Sequence, residues 1–133
     1  MTKTAFIGLG VMGYPMAGHK VAKGHNVTVY NRTTIKAENW TQQHRGEIAK
    51  TPKEAAVGAQ IVCACVGNDN DLRSVTYGDD GILAGMETGA ILVDHTTASA
   101  DVAREIAEKA ATRGVKFIDA PVSGGQAAQK MAH

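Results

Sequence analysis

The sequence predicts an α/β fold, a doubly wound parallel sheet of six strands in the order 3-2-1-4-5-6 with helices on both faces. Three observations predict it. Short apolar or β-branched runs alternate with helix-forming segments through most of the chain, the pattern of strand–helix–strand units. Residues 60–66 (Gln-Ile-Val-Cys-Ala-Cys-Val) are almost wholly apolar, as suits a strand covered on both faces. The first apolar run, Thr4-Ala5-Phe6-Ile7, breaks at once into Gly8-Leu9-Gly10-Val11-Met12-Gly13, a G-x-G-x-x-G turn from a strand into a helix. Right-handed crossovers then favour the doubly wound order.

The elements follow in order. A helix over residues 11–23 is stopped by Gly24. Residues 26–30 (Asn-Val-Thr-Val-Tyr) make the second strand. Thr33 or Thr34 caps a helix towards His44, and Gly46 precedes a short third strand around residues 47–49. Thr51-Pro52-Lys53-Glu54 is a capping box with proline at the first helical position, and Gly58 ends the short helix it starts. The central fourth strand comes next. Asn68 or Asp69 caps a helix reaching Tyr77; a Gly78-Asp79-Asp80-Gly81 loop and a helical turn over 82–84 lead to a fifth strand at 90–94. Ser99 caps a helix through Thr112, Gly114 lies beyond it, and residues 115–119 form the sixth strand.

Bulk properties narrow the class. A chain of 133 residues is expected to form one domain, here residues 1–127, with a small polar tail at 128–133 whose last residues are expected to be mobile. The net charge is +1 with dispersed basic residues, which argues against nucleic acid or an anionic membrane as partner. No stretch approaches the about 20 apolar residues of a membrane span, and no secretory signal is apparent, so a cytoplasmic location is expected. Cys63 and Cys65 read as small buried hydrophobes of the central strand, and the five scattered histidines suggest no metal site.

The polar motifs all fall at the carboxyl ends of predicted strands, where such sheets bind ligands. Gly8 permits the tight turn, Gly10 leaves room for a pyrophosphate, and Gly13 lets the helix sit close to the sheet; the helix start favours the anion. After strand two stand Asn31, Arg32 and Thr33 rather than the acidic residue that would bind a ribose 2′-hydroxyl. Arg32 can grip a 2′-phosphate and lie on adenine, so NADP is expected in preference to NAD. Val66 offers an apolar wall and Asn68 amide donors near the nicotinamide-side ribose and pyrophosphate, and Asn68 can also cap its helix. Thr97 can bond a ribose or the nicotinamide amide, whereas Thr96 is equally suited to supporting its turn. Ser123-Gly124-Gly125 offers a hydroxyl and bare amides, either a carboxylate nest or a flexible glycine turn.

Four segments together resemble the β-hydroxyacid dehydrogenase family: Gly8-Leu9-Gly10-Val11-Met12-Gly13-Tyr14-Pro15-Met16, Asn31-Arg32-Thr33, Asp94-His95-Thr96-Thr97, and Asp119-Ala120-Pro121-Val122-Ser123-Gly124-Gly125. The family includes 3-hydroxyisobutyrate dehydrogenase, tartronate semialdehyde reductase, and glyoxylate and succinic semialdehyde reductases, with 6-phosphogluconate dehydrogenase more distant. The resemblance implies a Rossmann-type domain in which Gly8, Leu9, Gly10, Val11, Met12, Gly13, Asn31, Arg32, Thr33, Val66, Asn68 and Thr97 hold the cofactor. It implies further that Ser123, Gly124 and Gly125 hold the carboxylate and hydroxyl of a small substrate. The family's helical second domain, which supplies a lysine as general acid and base with an asparagine beside it, has no counterpart in these residues. Asp94 reads as a turn stabiliser and Lys130 as part of the tail, and neither they nor His95 obviously offers the base.

The expected function is therefore NADP(H) binding within an oxidoreductase that interconverts a small 3-hydroxy acid and its aldehyde or keto form. The chain itself is expected to bind cofactor without turnover, and to form a homo-oligomer through a partly apolar surface near Ser123. The alternative is a stand-alone NADP-binding or regulatory module. A methyltransferase using S-adenosylmethionine would want an acidic residue where Asn31-Arg32 stands.

Overall fold

A computed structural model describes residues 3–10 and 12–121. Among them, β1 (Lys3–Ile7), β2 (Asn26–Tyr30), β3 (Glu47–Ile48), β4 (Ile61–Ala64), β5 (Ile91–Asp94) and β6 (Lys116–Asp119) form one sheet in the order β3-β2-β1-β4-β5-β6. Every neighbouring pair is parallel, as the sequence predicts. Parallel neighbours need crossovers, supplied by α1 (Gly13–Ala22), α2 (Thr34–Gln43), α3 (Pro52–Ala56), α4 (Asp69–Thr76), α5 (Ile82–Gly85) and α6 (Ala100–Ala111).

Alternation along the central strands sends side chains to two separate cores. Ala5 and Ile7 of β1 and Val62 and Ala64 of β4 pack with Ala55, Leu72, Ile82, Val102 and Ile106, residues of α3 to α6. Phe6 and Cys63 face the other way and join Val27 and Val29 of β2, with Met16 and Ala17 of α1 and Ala37 and Trp40 of α2. The sheet is thus covered by α1 and α2 on one face and α3 to α6 on the other. Ala5, Phe6 and Ile7 are all 0% exposed, so β1, which carries the glycine turn at its end, is the axis of the domain.

Several elements differ from expectation at their ends. β4 stops at Ala64 because the next residues diverge: Cys65 N–H still donates to the Ile7 carbonyl (2.9 Å), but Val66 N–H turns to Thr96 Oγ1 (3.0 Å). The first helix begins at Gly13 rather than residue 11. Thr33 occupies the N-cap position of α2, yet its side chain makes no capping bond. The other caps form as the sequence suggests, with Thr51 Oγ1 accepting from Glu54 N–H, Asn68 Oδ1 from Asp71 N–H and Ser99 Oγ from Val102 N–H. Among the described residues, no helix is long and apolar enough to cross a membrane.

Candidate cofactor site

The glycine turn is held from both sides. Gly8 donates its N–H to the Tyr30 carbonyl of β2 (2.8 Å) and adopts φ +99°, and a Cβ there would lie 2.1 Å from the Cys65 carbonyl oxygen after β4. A Cβ on Gly13 would lie 2.1 Å from the Gly8 carbonyl oxygen, so α1 starts hard against the turn. Gly10 is the opposite case. A Cβ there meets no protein atom within 4 Å, and Gly10 borders a cavity of about 620 Å³. A side chain at this position would fill space that the fold keeps open, which fits a phosphate seated against the turn.

The cavity lies where β1, β2 and β4 end. Of the residues singled out in the sequence, it brings together Gly8, Gly10, Met12, Gly13, Asn31, Arg32, Thr33 and Val66. Leu9 is buried in the core with Phe6 and Met16, and contributes its backbone N–H to Asn31. Asn68 caps α4, and Thr97 is exposed beyond β5; neither lines this cavity. Val11, Ser123, Gly124 and Gly125 lie outside the described residues, as does the tail.

Asn31, which lines the cavity, also ties two loops together. Its Oδ1 accepts from Leu9 N–H (2.8 Å) and its Nδ2 donates to the Thr33 carbonyl (3.0 Å), so the side chain splices the loop after β2 to the turn after β1. That splice leaves Arg32 to point outward. Its side chain is 80% exposed, with Nη1 3.6 Å from Asp71 Oδ1 across the rim of the cavity.

Further cavity residues escaped the sequence reading. Lys36 follows Thr33 by three positions, a spacing that puts both on one side of α2, and was legible in that sense. Lys50, Asp71 and Tyr77 come from the β3–α3 loop and from α4 and its C-terminal cap, which nothing in the local pattern aims at the glycine turn. Tyr77 is held by its hydroxyl, which donates to Glu105 Oε2 of α6 at 2.6 Å; Arg73 donates to the same carboxylate through Nε and Nη2 at 3.3 Å each. These bonds from Tyr77, then Arg73, draw the Glu105 carboxyl below its usual range, while burial foremost raises the Tyr77 hydroxyl.

The strand ends on the other side of β4 are tied together as well. Asp94 is buried and its Oδ1 accepts from Thr96 N–H (2.9 Å), while Thr96 Oγ1 takes the Val66 N–H. Burial raises the Asp94 carboxyl above the ordinary range. His95 is half-buried, with Nδ1 2.8 Å from the Ala120 carbonyl; desolvation lowers its pKa and favours a neutral ring that donates through Nδ1. Asp94 thus braces its own turn, and His95 joins that turn to the end of β6. Cys63 and Cys65 are pushed up to about 11 by burial and stay thiols, and among the described residues no group of three or more His, Cys, Asp or Glu could hold a metal.

The arrangement can take an extended phosphorylated ligand. Residues of the glycine turn line a cavity that Arg32, Lys36 and Lys50 also line, with an apolar wall at Val66.

Comparison with known proteins agrees with this geometry. Residues 3–133 match the family described as the NAD binding domain of 6-phosphogluconate dehydrogenase. An uncharacterized oxidoreductase of Shewanella frigidimarina is 65% identical over 127 residues, 96% of this chain and 44% of that protein. A probable mitochondrial 3-hydroxyisobutyrate dehydrogenase-like protein of Arabidopsis thaliana is 44% identical over 126 residues, 95% and 39% of the respective lengths. Among solved structures, that of Mycobacterium tuberculosis 3-hydroxyisobutyrate dehydrogenase with L-serine superposes with a TM-score of 0.85 at 30% identity, covering 94% of this chain and 42% of that one. The chain spans less than half the length of each of these proteins.

Proposed function

Since the chain belongs to the family of the NAD-binding domain of 6-phosphogluconate dehydrogenase, and is an NAD(P)-binding domain of 3-hydroxyisobutyrate dehydrogenase-like oxidoreductases, we propose that it holds NADP(H) for the interconversion of a small 3-hydroxy acid and its aldehyde or keto form. The observation that carries the choice of cofactor is Arg32. It stands at the end of β2, where an acidic side chain would repel a 2′-phosphate, and its exposed guanidinium reaches the rim of the cavity with Lys36 one turn further on.

On this reading the stretch from Gly8 to Gly13, with Leu9, Val11 and Met12 among its cofactor-binding residues, seats the pyrophosphate. Arg32 and Thr33 take the 2′-phosphate, Asn31 holds their loop in place, and Val66, Asn68 and Thr97 serve the nicotinamide side. Ser123, Gly124 and Gly125 orient the substrate's carboxylate and hydroxyl. L-serine, named with the M. tuberculosis enzyme, is itself a 3-hydroxy acid, which suits a substrate of this class. The bound cofactor supplies the hydride acceptor or donor. Proton transfer falls to a lysine that the family resemblance places in the second domain, so residues 1–133 bind cofactor without turning over, and they work within a homo-oligomer.

The test is calorimetric titration with NADPH and NADH of the protein and of Arg32→Ala. NADPH is expected to bind more tightly, and the substitution to remove most of that preference. Equal affinities in the parent, or an unaltered NADPH affinity in the variant, would overturn the NADP assignment.

A further inference from the structure

The Arg32 guanidinium has a partner on the far side of the cavity. Asp71, from the first turn of α4, places Oδ1 3.6 Å from Arg32 Nη1 and itself lines the cavity. Its carboxylate is partly enclosed, with the side chain 29% exposed against 80% for Arg32. Gly67 gives it room, because a Cβ at that residue would come within 2.8 Å of Asp71 Oδ2. The pair joins the loop after β2 to the helix after β4, the two walls between which the cavity opens.

We propose that Asp71 sets cofactor selectivity by competing with the 2′-phosphate for Arg32. The inference rests on the NADP reading above. A phosphate dianion bound by Arg32 must draw the guanidinium from Asp71 and then lie near the remaining carboxylate. Both effects weaken binding of the phosphorylated cofactor and leave its unphosphorylated counterpart nearly untouched. An exposed ion pair is weak enough to be exchanged in this way, so Asp71 tempers the preference that Arg32 creates without abolishing it. The same carboxylate keeps the guanidinium at the cavity rim instead of free in solvent.

Its measure is a double-mutant cycle on the protein, with NADPH and NADH titrated against the parent, Asp71→Asn, Arg32→Ala and the double variant. Asp71→Asn should tighten NADPH about 3- to 10-fold, from the release of one exposed pair and the loss of one like charge beside the dianion. NADH should change less than about 2-fold, and the NADPH gain should shrink in the Arg32→Ala background, where no guanidinium is left to compete for and only the like charge beside the dianion is relieved. Asp71→Ser provides the same comparison should the asparagine disturb α4. If Arg32→Ala weakens NADPH while neither Asp71 variant tightens it, or if the gain is shared by NADH or is undiminished without Arg32, the role given to Asp71 is wrong and the NADP assignment stands. If Arg32→Ala leaves NADPH unchanged, both fall.

Discussion

The Asn31 carboxamide accepts the backbone N–H of Leu9 at 2.8 Å, and through this one bond the loop that carries Arg32 is fastened to the glycine turn. Its Nδ2 end holds the Thr33 carbonyl. Asn31→Ala should therefore lower stability by about 1–2 kcal/mol, since the partly buried Leu9 amide loses its acceptor. It should weaken NADPH and NADH together, because the damage is to the seat and not to the discriminating charge. Thermal unfolding and paired titrations check both. Asn31→Asp should behave differently: it keeps an acceptor for Leu9, sets a negative charge beside Thr33 O, and should shift the preference towards NADH.

Glycines of the turn should separate stability from binding. Gly10→Val meets no protein atom near its Cβ, so it should alter stability by no more than about 1 kcal/mol while weakening the dinucleotide at least about tenfold, as a side chain enters the phosphate's place. Gly13→Ala drives a methyl to 2.1 Å from the Gly8 carbonyl oxygen and should destabilise by about 2 kcal/mol or more. Thermal unfolding of the two variants, alongside NADPH titration of the first, measures the contrast. A folded Gly10→Val that binds normally would remove the pyrophosphate from this turn.

Asp94 should give a pH signature. Burial raises its folded pKa, so the folded state binds the proton more tightly than the unfolded state, and the stability this provides at low pH is lost as pH rises from about 4 through the folded pKa. Asp94→Asn retains an acceptor for Thr96 N–H and removes that loss. Relative to the parent, its Tm should therefore be higher at pH 7 than at pH 3.5, compared in parallel scans. A difference independent of pH would mean that the Asp94 charge is not what burial opposes.

Glu105 should show the reverse slope. Bonds from Tyr77 and Arg73 lower its pKa, so what it contributes is present above its unfolded value near 4.3 and is lost on acidification below it. Tyr77→Phe removes the stronger of these bonds while leaving the ring beside the cavity. It should lower stability at pH 7 and do so less at pH 3, read by urea unfolding at each pH.

The fold was legible because its signals are long and redundant. Six strand-like runs alternate with helices, residues 60–66 demand two covered faces, and the turn after Ile7 marks the strand from which the sheet winds both ways. What was not legible depends on where helices point their sides. Thr33 has a capping residue's identity but no capping bond: the Lys36 N–H it would accept donates to the Thr33 carbonyl instead (3.1 Å). Asp71, Lys50 and Tyr77 reach the cavity only once α3 and α4 have packed on β1 and β4, and a lone sequence carries no local mark of that packing. Asn31 was identified as a site residue, yet its value as a splice between two loops needed both partners, twenty-two and two positions away, to be seen together.

The rigid and the adjustable parts of the cavity are divided. Gly8 and Gly13 are jammed against neighbouring carbonyl oxygens, so the part suited to what all dinucleotides share is backbone that tolerates almost no change. Arg32, mostly in solvent, and Asp71 opposite it can be replaced without disturbing either core. On the NADP reading, substitutions at the rim therefore suffice to exchange one nicotinamide cofactor for the other, at little risk to folding, while the turn beneath stays the same.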